Sequence, residues 1–221
     1  MRPVTDSIPK PLISVCSKPI LDHIVEALPS AIDQLIIVVG YKGEQIKEHC
    51  GEVFHGRPVV YVEQENHAGG TGDALMCAKH LAQGTFLFMH ADDIHGKQAL
   101  EEVVKHEHAM LAIHSDTPEL FGVVTQNDDG TLQEIVEKPE HPSTNFVNIG
   151  GYVINDSVFS YDVSDSDSGE LYATDIITAY AQKNPVHIVT QKRWLPIGTP
   201  ENITQAEAIL CPNFIDSIDQ I

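Results

Sequence analysis

The chain has 221 residues, of which 42% are hydrophobic, and this length and composition fit a folded domain with a sizeable core. Thirty-two acidic residues against thirteen basic ones give a formal net charge of −19, which argues against nucleic acid or an anionic membrane as a partner. No apolar run approaches the roughly 20 residues of a membrane span, and the start of the chain has no apolar signal region, so a cytoplasmic location is expected.

The first half of the chain alternates short apolar runs with helical patterns. Continuous apolar runs of this length are typical of strands that are covered on both faces in a parallel sheet. The predicted elements, in order, are a helix over Lys18–Leu28, a strand over Leu35–Val39, a helix from about Gly43 to Cys50, a strand over Val59–Glu63, a helix from about Thr71 to Leu81, a strand over Thr85–Met89, a helix over Lys97–His108 and a strand over Met110–Ile113.

The pattern of predicted elements changes in the second half of the chain. It predicts strands over Phe121–Val124, Leu132–Val136 and Phe146–Ile154, a helix over Thr174–Gln182, a strand over Val186–Val189 and a last helix that starts at Thr199-Pro200 and ends at Leu210. The turn sequence at 127–130 predicts a hairpin between the first two of these strands. Together the patterns predict a single α/β domain over residues 1–221, with a Rossmann-like, mostly parallel sheet, helices on both faces and a small antiparallel insertion.

Four cysteines, Cys16, Cys50, Cys77 and Cys211, show no C-x-x-C spacing. In a chain without an export signal, scattered thiols of this kind are expected to be reduced and mostly buried. The sequence assigns them no function.

Lys10 lies between two prolines near the start of the chain. Flanking prolines restrict the backbone on both sides, so the lysine side chain is held in one direction instead of moving freely. A lysine held in this way suits a phosphate group. The alternative is a surface lysine in a proline-rich turn.

A glycine-rich turn runs from Gln64 to Ala74, between a predicted strand and a predicted helix. Its three glycines allow backbone N–H groups to approach a ligand at the positive end of the helix. A turn of this kind is a weak signal by itself. The alternative is a plain helix entry that is capped by Thr71.

Asp92 follows the predicted strand Thr85–Met89. Ligands of open α/β sheets bind beyond the carboxyl ends of the strands, so this carboxylate is well placed for Mg²⁺. Asp93 has the alternative role of a cap for the next element. His90 and His95 would add a softer metal site, but in a chain with 12 histidines such proximity arises easily by chance.

These segments, taken in order, resemble the sugar-1-phosphate nucleotidyltransferases. That family opens with a G-x-G-T-R loop that continues into L-R-P-L-T, P-K-P-L and a K-P before a helix. The matching segments here are Arg2, Pro9 to Leu12, Lys18-Pro19, the turn Gln64 to Leu75, His90 to Ile94 for G-D-N or G-D-D, Phe121 to Val124 for Y-G-V-V, Glu137 to Pro139 for E-K-P, Asn148 to Tyr152, and Gly169 to Asp175.

The resemblance implies a GT-A-like nucleotidyltransferase fold and a reaction of a nucleoside triphosphate with a sugar 1-phosphate that gives an NDP-sugar and pyrophosphate. It implies catalytic roles for Lys10, Asp92 and Lys138, with Mg²⁺ as the cofactor on Asp92. It implies nucleotide contacts for Gln64, Gly70 and Thr71, and sugar contacts for Gly122, Glu137, Gly150 and Glu170.

Two departures from the family pattern bear on activity. The chain starts one residue after the position of the family's reactive arginine, so the glycine-rich loop and the first, central strand have no counterpart in it. We expect the sheet to close around this gap, or another chain to fill it and make a homo-oligomer. In Trp194 to Thr199, which matches W-x-D-x-G-T, Pro196 replaces the second metal-binding aspartate.

Both departures predict impaired phosphoryl transfer, because that reaction depends on positioning and on neutralisation of charge. Two alternatives to an active enzyme therefore stay open. One is a non-catalytic module that binds a nucleotide sugar or a sugar phosphate. The other is a GT-A-like glycosyltransferase that uses Asp92 and Asp93 as its metal motif.

Overall fold

The computed structural model describes residues 1, 3–161, 163 and 169–211, so Arg2 lies outside the described residues. The α-helices are α1 (Ile20–Ala27), α2 (Gly43–Cys50), α3 (Gly70–Cys77), α4 (Lys97–Val103), α5 (Ala173–Ala181) and α6 (Pro200–Leu210). The strands are β1 (Ser14–Val15), β2 (Lys18–Pro19), β3 (Leu35–Val39), β4 (Val53–Phe54), β5 (Arg57–Glu63), β6 (Thr85–Met89), β7 (Asp93–His95), β8 (Ala109–His114), β9 (Gly122–Gln126), β10 (Leu132–Glu137), β11 (Phe146–Asn155), β12 (His187–Thr190) and β13 (Trp194–Pro196).

The helix boundaries follow local chemistry. α6 begins as predicted: Thr199 caps it, Pro200 occupies its first turn, and the side chain of Asn202 completes a capping box. α1 begins two residues later than predicted, because Lys18 and Pro19 pair with β1 as a short strand. α4 ends at Val103, five residues before the predicted end, because the chain turns there to enter β8. In the described part of the chain, no helix combines the length and apolar character needed to cross a membrane.

The strands form a six-stranded sheet, a three-stranded sheet and two short ladders. In the six-stranded sheet the order is β10-β9-β11-β8-β12, and β6 also pairs with β11. Only β8 and β12 are parallel in this sheet, whereas in the smaller sheet β3 is parallel to β5. The α/β class is confirmed, but the pairing of the larger sheet is mainly antiparallel. The reason is that β11, a long strand, runs antiparallel to its three neighbours β6, β8 and β9. The apolar sequence of β11 does not indicate this direction.

β3 and β6 both have an unpaired edge. In the part of the chain that the structure describes, β3 pairs with β5 alone and β6 with β11 alone. Among the described residues the sheet therefore does not close around the expected gap, and for this part of the chain that prediction is wrong. The other expectation, a strand supplied by another chain, stays a prediction. β3 is apolar throughout and β6 is apolar after Thr85, which is typical of interior strands.

Two hydrophobic clusters cover opposite faces of the larger sheet. Met110 and Ala112 of β8 belong to the cluster beneath α3 and α5, whereas Ala109 and Leu111 belong to the cluster beneath α1, α2 and α4. Alternate side chains of a strand point to opposite faces, so one short apolar run serves both clusters. Helices on both faces are thus confirmed.

A third apolar cluster joins the β1–β2 hairpin and α1 to the β7–β13 ladder and α6. Beside it, Cys16 and Cys211 form a disulfide with their Cα atoms 6.1 Å apart. The prediction of reduced thiols is therefore wrong for this pair. The two residues are 195 positions apart, and only the packing of α6 beside the hairpin brings them together. Cys50 and Cys77 are free, and Cys50 is buried as expected.

Candidate active site

Lys10 and Asp92 meet at the carboxyl end of β6. Lys10 begins a single 3-10 turn, and Asp92 lies three residues beyond the strand. The distance from Lys10 Nζ to Asp92 Oδ2 is 2.6 Å. The two side chains are 29% and 39% exposed, so a ligand has access to the pair. The structure thus brings together two of the three residues for which a catalytic role is predicted.

His90, Asp92 and Asp93 form a group of possible metal ligands. One ring nitrogen of His90 and one oxygen of each carboxylate all lie within 4.8 Å of one another. The Nε2 atom of His90 is buried and has no hydrogen-bond partner among the described residues. Burial lowers the pKa of His90, so the ring is neutral near pH 7. Two carboxylates and a neutral imidazole fit a divalent cation.

Asp93 owes its place to the ladder between β7 and β13. In this antiparallel pair Asp93 lies directly opposite Pro196, and Ile197 N donates to Asp92 O at 3.3 Å. Burial raises the pKa of Asp93, the negative charge of Asp92 raises it further, and Lys10 opposes the shift. Both strands of this ladder are too short to show a periodicity. The sequence therefore predicts a cap role for Asp93, and a metal-ligand role only in the glycosyltransferase alternative.

Gln64 and Gly70 lie together at the entry to α3. Gln64 Nε2 donates to Gly70 O at 3.1 Å and to Asp73 Oδ2 at 2.8 Å. Gly70 has a φ of +83°, and a Cβ atom there would lie 2.6 Å from Leu171 O. Only glycine fits such a position without a shift of the backbone. Asp73 holds the glutamine in place, a role that the spacing of the turn does not reveal.

Thr71 connects α3 with α5. Its Oγ1 accepts a hydrogen bond from Ala173 N, the first residue of α5, at 3.1 Å. The cap position of α3 is occupied by Gly69, so no side chain caps the start of this helix. Thr71 is therefore not the cap of its own helix. Instead it links the glycine-rich turn to the segment that carries Glu170, whose Cβ lies 3.3 Å from the position of a Cβ at Gly70.

Gly122 and Glu137 are paired across β9 and β10. A Cβ atom at Gly122 would lie 3.1 Å from Glu137 Oε2 and 3.5 Å from Thr174 Cγ2, so the pair lies beside the start of α5. Burial raises the pKa of Glu137, and the charge of Lys138 opposes that shift. Lys138 Nζ lies 3.8 Å from Glu137 Oε1, and its side chain is 63% exposed. Lys138 is thus available to a ligand in solution.

Gly150 lies at the irregularity of β11, where the register to β8 shifts between Asn148 and Tyr152. Its φ is +71°, its N–H donates to Asn148 Oδ1 at 3.1 Å, and its carbonyl accepts from His90 N at 3.0 Å. A Cβ atom at this position would lie 2.3 Å from His90 Nδ1. Gly150 therefore adjoins the group of possible metal ligands.

The residues for which a role is predicted thus fall into two groups. Lys10, Asp92 and Gly150 lie around His90 at the end of β6. The other group lies around the start of α5 and consists of Gly70, Thr71, Gly122, Glu137 and Glu170, with Gln64 hydrogen-bonded to Gly70 and Lys138 next to Glu137. The described residues show no contact of Lys138 with Lys10 or Asp92, and the catalytic roles of these three residues stay predictions.

Comparison with known proteins points to one family. The sequence profile of the family described as nucleotidyl transferase matches residues 1–212. The bifunctional protein GlmU of Methanocaldococcus jannaschii is 32% identical over 213 residues, which are 95% of this chain and 51% of that protein. The chain thus spans about half the length of this relative.

Two further proteins are similar over nearly their whole length. The UTP–glucose-1-phosphate uridylyltransferase AglF of Haloferax volcanii is 31% identical over 220 residues, which are 94% of this chain and 90% of that protein. A Bacillus anthracis structure, provisionally assigned as a glucose-1-phosphate thymidylyltransferase and solved with sucrose, superposes with a TM-score of 0.82. It is 26% identical, and the match covers 95% of this chain and 89% of that one. The chain belongs to the nucleotidyl transferase family, in the sugar-1-phosphate nucleotidyltransferase group that its P-K-P-L motif predicted.

Proposed function

We propose that this chain is the catalytic domain of an enzyme that joins a nucleoside triphosphate to a sugar 1-phosphate and releases pyrophosphate and an NDP-sugar. The ion pair of Lys10 and Asp92 carries this proposal. The pair lies at the carboxyl end of a strand, where α/β sheets bind their ligands, and in the proposed enzyme the ammonium group binds phosphate and the carboxylate binds the metal. Membership of the family supports the same reaction.

In the proposed reaction an oxygen of the sugar phosphate attacks the α-phosphate of the nucleotide in line with the leaving pyrophosphate. This oxygen is already an anion, so the reaction needs no general base. Lys10 and Lys138 contribute by binding phosphate oxygens and offsetting their charge. A divalent cation on Asp92, Mg²⁺ by the resemblance, would supply further charge neutralisation.

The remaining residues of the proposed site bind the two substrates. Gln64, Gly70 and Thr71 would contact the nucleotide, and Gly122, Glu137, Gly150 and Glu170 the sugar. UTP and glucose 1-phosphate are the first substrates to try, because the Haloferax volcanii relative is named for them. The cytoplasmic location and the homo-oligomer remain predictions.

Pyrophosphate release, measured with the four common nucleoside triphosphates and a panel of sugar 1-phosphates, in Mg²⁺ and separately in Mn²⁺, tests the proposal. Lys10→Ala and Asp92→Asn should each lower turnover at least about 100-fold, because each removes a charge that stabilises the transferring phosphate. Lys79→Ala, which removes an exposed lysine beyond α3, is the matched control and should leave turnover unchanged. Release no faster than in a protein-free blank with every substrate pair would refute the proposal.

A non-catalytic binding module is the second candidate, and Pro196 favours it. Proline has no side-chain ligand atom, and it occupies the position of an aspartate in the motif that the segment resembles. Calorimetry with UTP, glucose 1-phosphate and UDP-glucose separates the two functions. Binding without pyrophosphate release supports the module, whereas release above the blank supports the enzyme.

A further inference from the structure

His90 and Asp93 surround Asp92 with two more potential ligands. The three residues bring one imidazole nitrogen and two carboxylate oxygens within 4.8 Å of one another. His90 Nε2 is buried and has no hydrogen-bond partner among the described residues. Buried polar atoms nearly always have a partner, so an orphaned ring nitrogen on a residue of this group points to a ligand that satisfies it.

The charges around this group also favour a bound cation. Lys10 Nζ contacts Asp92 Oδ2 at 2.6 Å, and no lysine or arginine among the described residues forms an ion pair with Asp93. A single ammonium group thus faces two neighbouring carboxylates. A divalent cation bound there would stabilise the ionised form of both carboxyl groups in this partly buried site.

The ladder between β7 and β13 explains how Asp93 reaches this place. Asp93 and Pro196 are directly opposite in an antiparallel pair, and the Cβ atoms of opposite residues are about 4.5–5.5 Å apart on the same face. A carboxylate at 93 therefore reaches much the same region as a carboxylate at 196. The neighbouring strand offers the ligand that Pro196 lacks.

We propose that His90, Asp92 and Asp93 together form the cation site of this chain, and that the site binds Mn²⁺ more tightly than Mg²⁺. Mg²⁺ prefers oxygen ligands and keeps most of its water, whereas imidazole nitrogen suits first-row transition metals. Mn²⁺ accepts both kinds of ligand. This inference rests on the proposed function only in taking Asp92 as a metal ligand.

Mn²⁺ binding by the complete chain without substrate is the test. Electron paramagnetic resonance titration gives the affinity, competition with Mg²⁺ gives the preference, and pulsed electron spin-echo measurements detect nitrogen coordinated to Mn²⁺. We expect a nitrogen signal in the wild type and its loss in His90→Gln. Asp93→Asn should weaken Mn²⁺ binding at least about tenfold. Asp128→Asn, which removes one carboxylate from the turn after β9, is the charge-matched control and should bind like the wild type.

A cross-strand rescue checks the role of Asp93 even where single variants lose stability. The double variant Asp93→Asn/Pro196→Asp places the carboxylate on the opposite strand and should regain most of the lost Mn²⁺ affinity. Lys10→Met removes the competing ammonium group and should tighten Mn²⁺ binding. Wild-type affinity in Asp93→Asn, a bound Mn²⁺ without a nitrogen signal, or a preference for Mg²⁺ would overturn the inference. Because no substrate is present, these outcomes leave pyrophosphate release as a separate test of the proposed function.

Discussion

Replacing Gly150 by alanine should lower the free energy of unfolding, and the structure indicates that this loss has two parts. The first part is backbone strain, because a φ of +71° costs an L-residue about 1–2 kcal/mol. The second part is a collision, because the new methyl group would lie 2.3 Å from His90 Nδ1 and the ring would have to shift. Overpacking of this kind costs about 1–3 kcal/mol, so the total is about 2–5 kcal/mol.

Gly130→Ala separates the two parts. Gly130 has a φ of +80°, and nothing lies within 4 Å of a Cβ atom placed there, so this variant carries the backbone strain without the collision. The free energies of unfolding, measured by urea denaturation, should therefore differ by about 1–3 kcal/mol between the two variants. The difference in Tm should be about 2–12 °C. Equal losses would show that His90 does not press against Gly150, and the described geometry of the site would then be wrong.

Three further outcomes follow from the described contacts. Lys138→Ala should weaken the binding of a sugar 1-phosphate far more than that of a nucleotide in calorimetry, because Lys138 lies next to Glu137, the proposed sugar contact, and equal losses would contradict a role of Lys138 in binding the sugar phosphate. Cys16→Ser should lower the free energy of unfolding by about 2–5 kcal/mol, since the disulfide to Cys211 closes a loop of 195 residues; identical unfolding curves with and without dithiothreitol would refute this. Burial raises the pKa of Cys50 to about 11, so at pH 8 the thiol stays protonated. Mass spectrometry should thus find it unmodified by iodoacetamide until urea unfolds the protein, and rapid labelling of the native protein would contradict the burial.

Much of the fold is predictable because each interior strand can be identified from its own short stretch of sequence. β3 and β6 have the predicted boundaries, since each is an apolar run that ends in a change of composition. β7 and β13 escape prediction because strands of three residues have no period of their own and form only against each other. The direction of the ladders around β11 depends on neighbours far away in the chain, which an apolar run does not identify.

The same division holds for the candidate site. Lys10 and Asp92 are found from their motifs, because each lies in a local pattern with its own chemistry. The places of Asp93 and of His90 are set by long-range packing, namely the opposite strand at Pro196 and the register shift of β11 at Gly150. The pairing of Cys16 with Cys211 has the same origin. Contacts between segments that are far apart in the chain are thus the part of the structure that the sequence does not predict.

β3 and β6 each have an edge that no described strand pairs with, and these edges bear on how copies of the molecule behave in concentrated solution. An apolar strand with open N–H and C=O groups is a template for any extended chain that comes near it. The net charge of −19 keeps copies apart at low ionic strength, but 1 M salt shortens the reach of that repulsion to about 3 Å. Added salt therefore relieves the crowding of acidic groups on each molecule and at the same time lets two molecules approach closely enough for their backbones to pair.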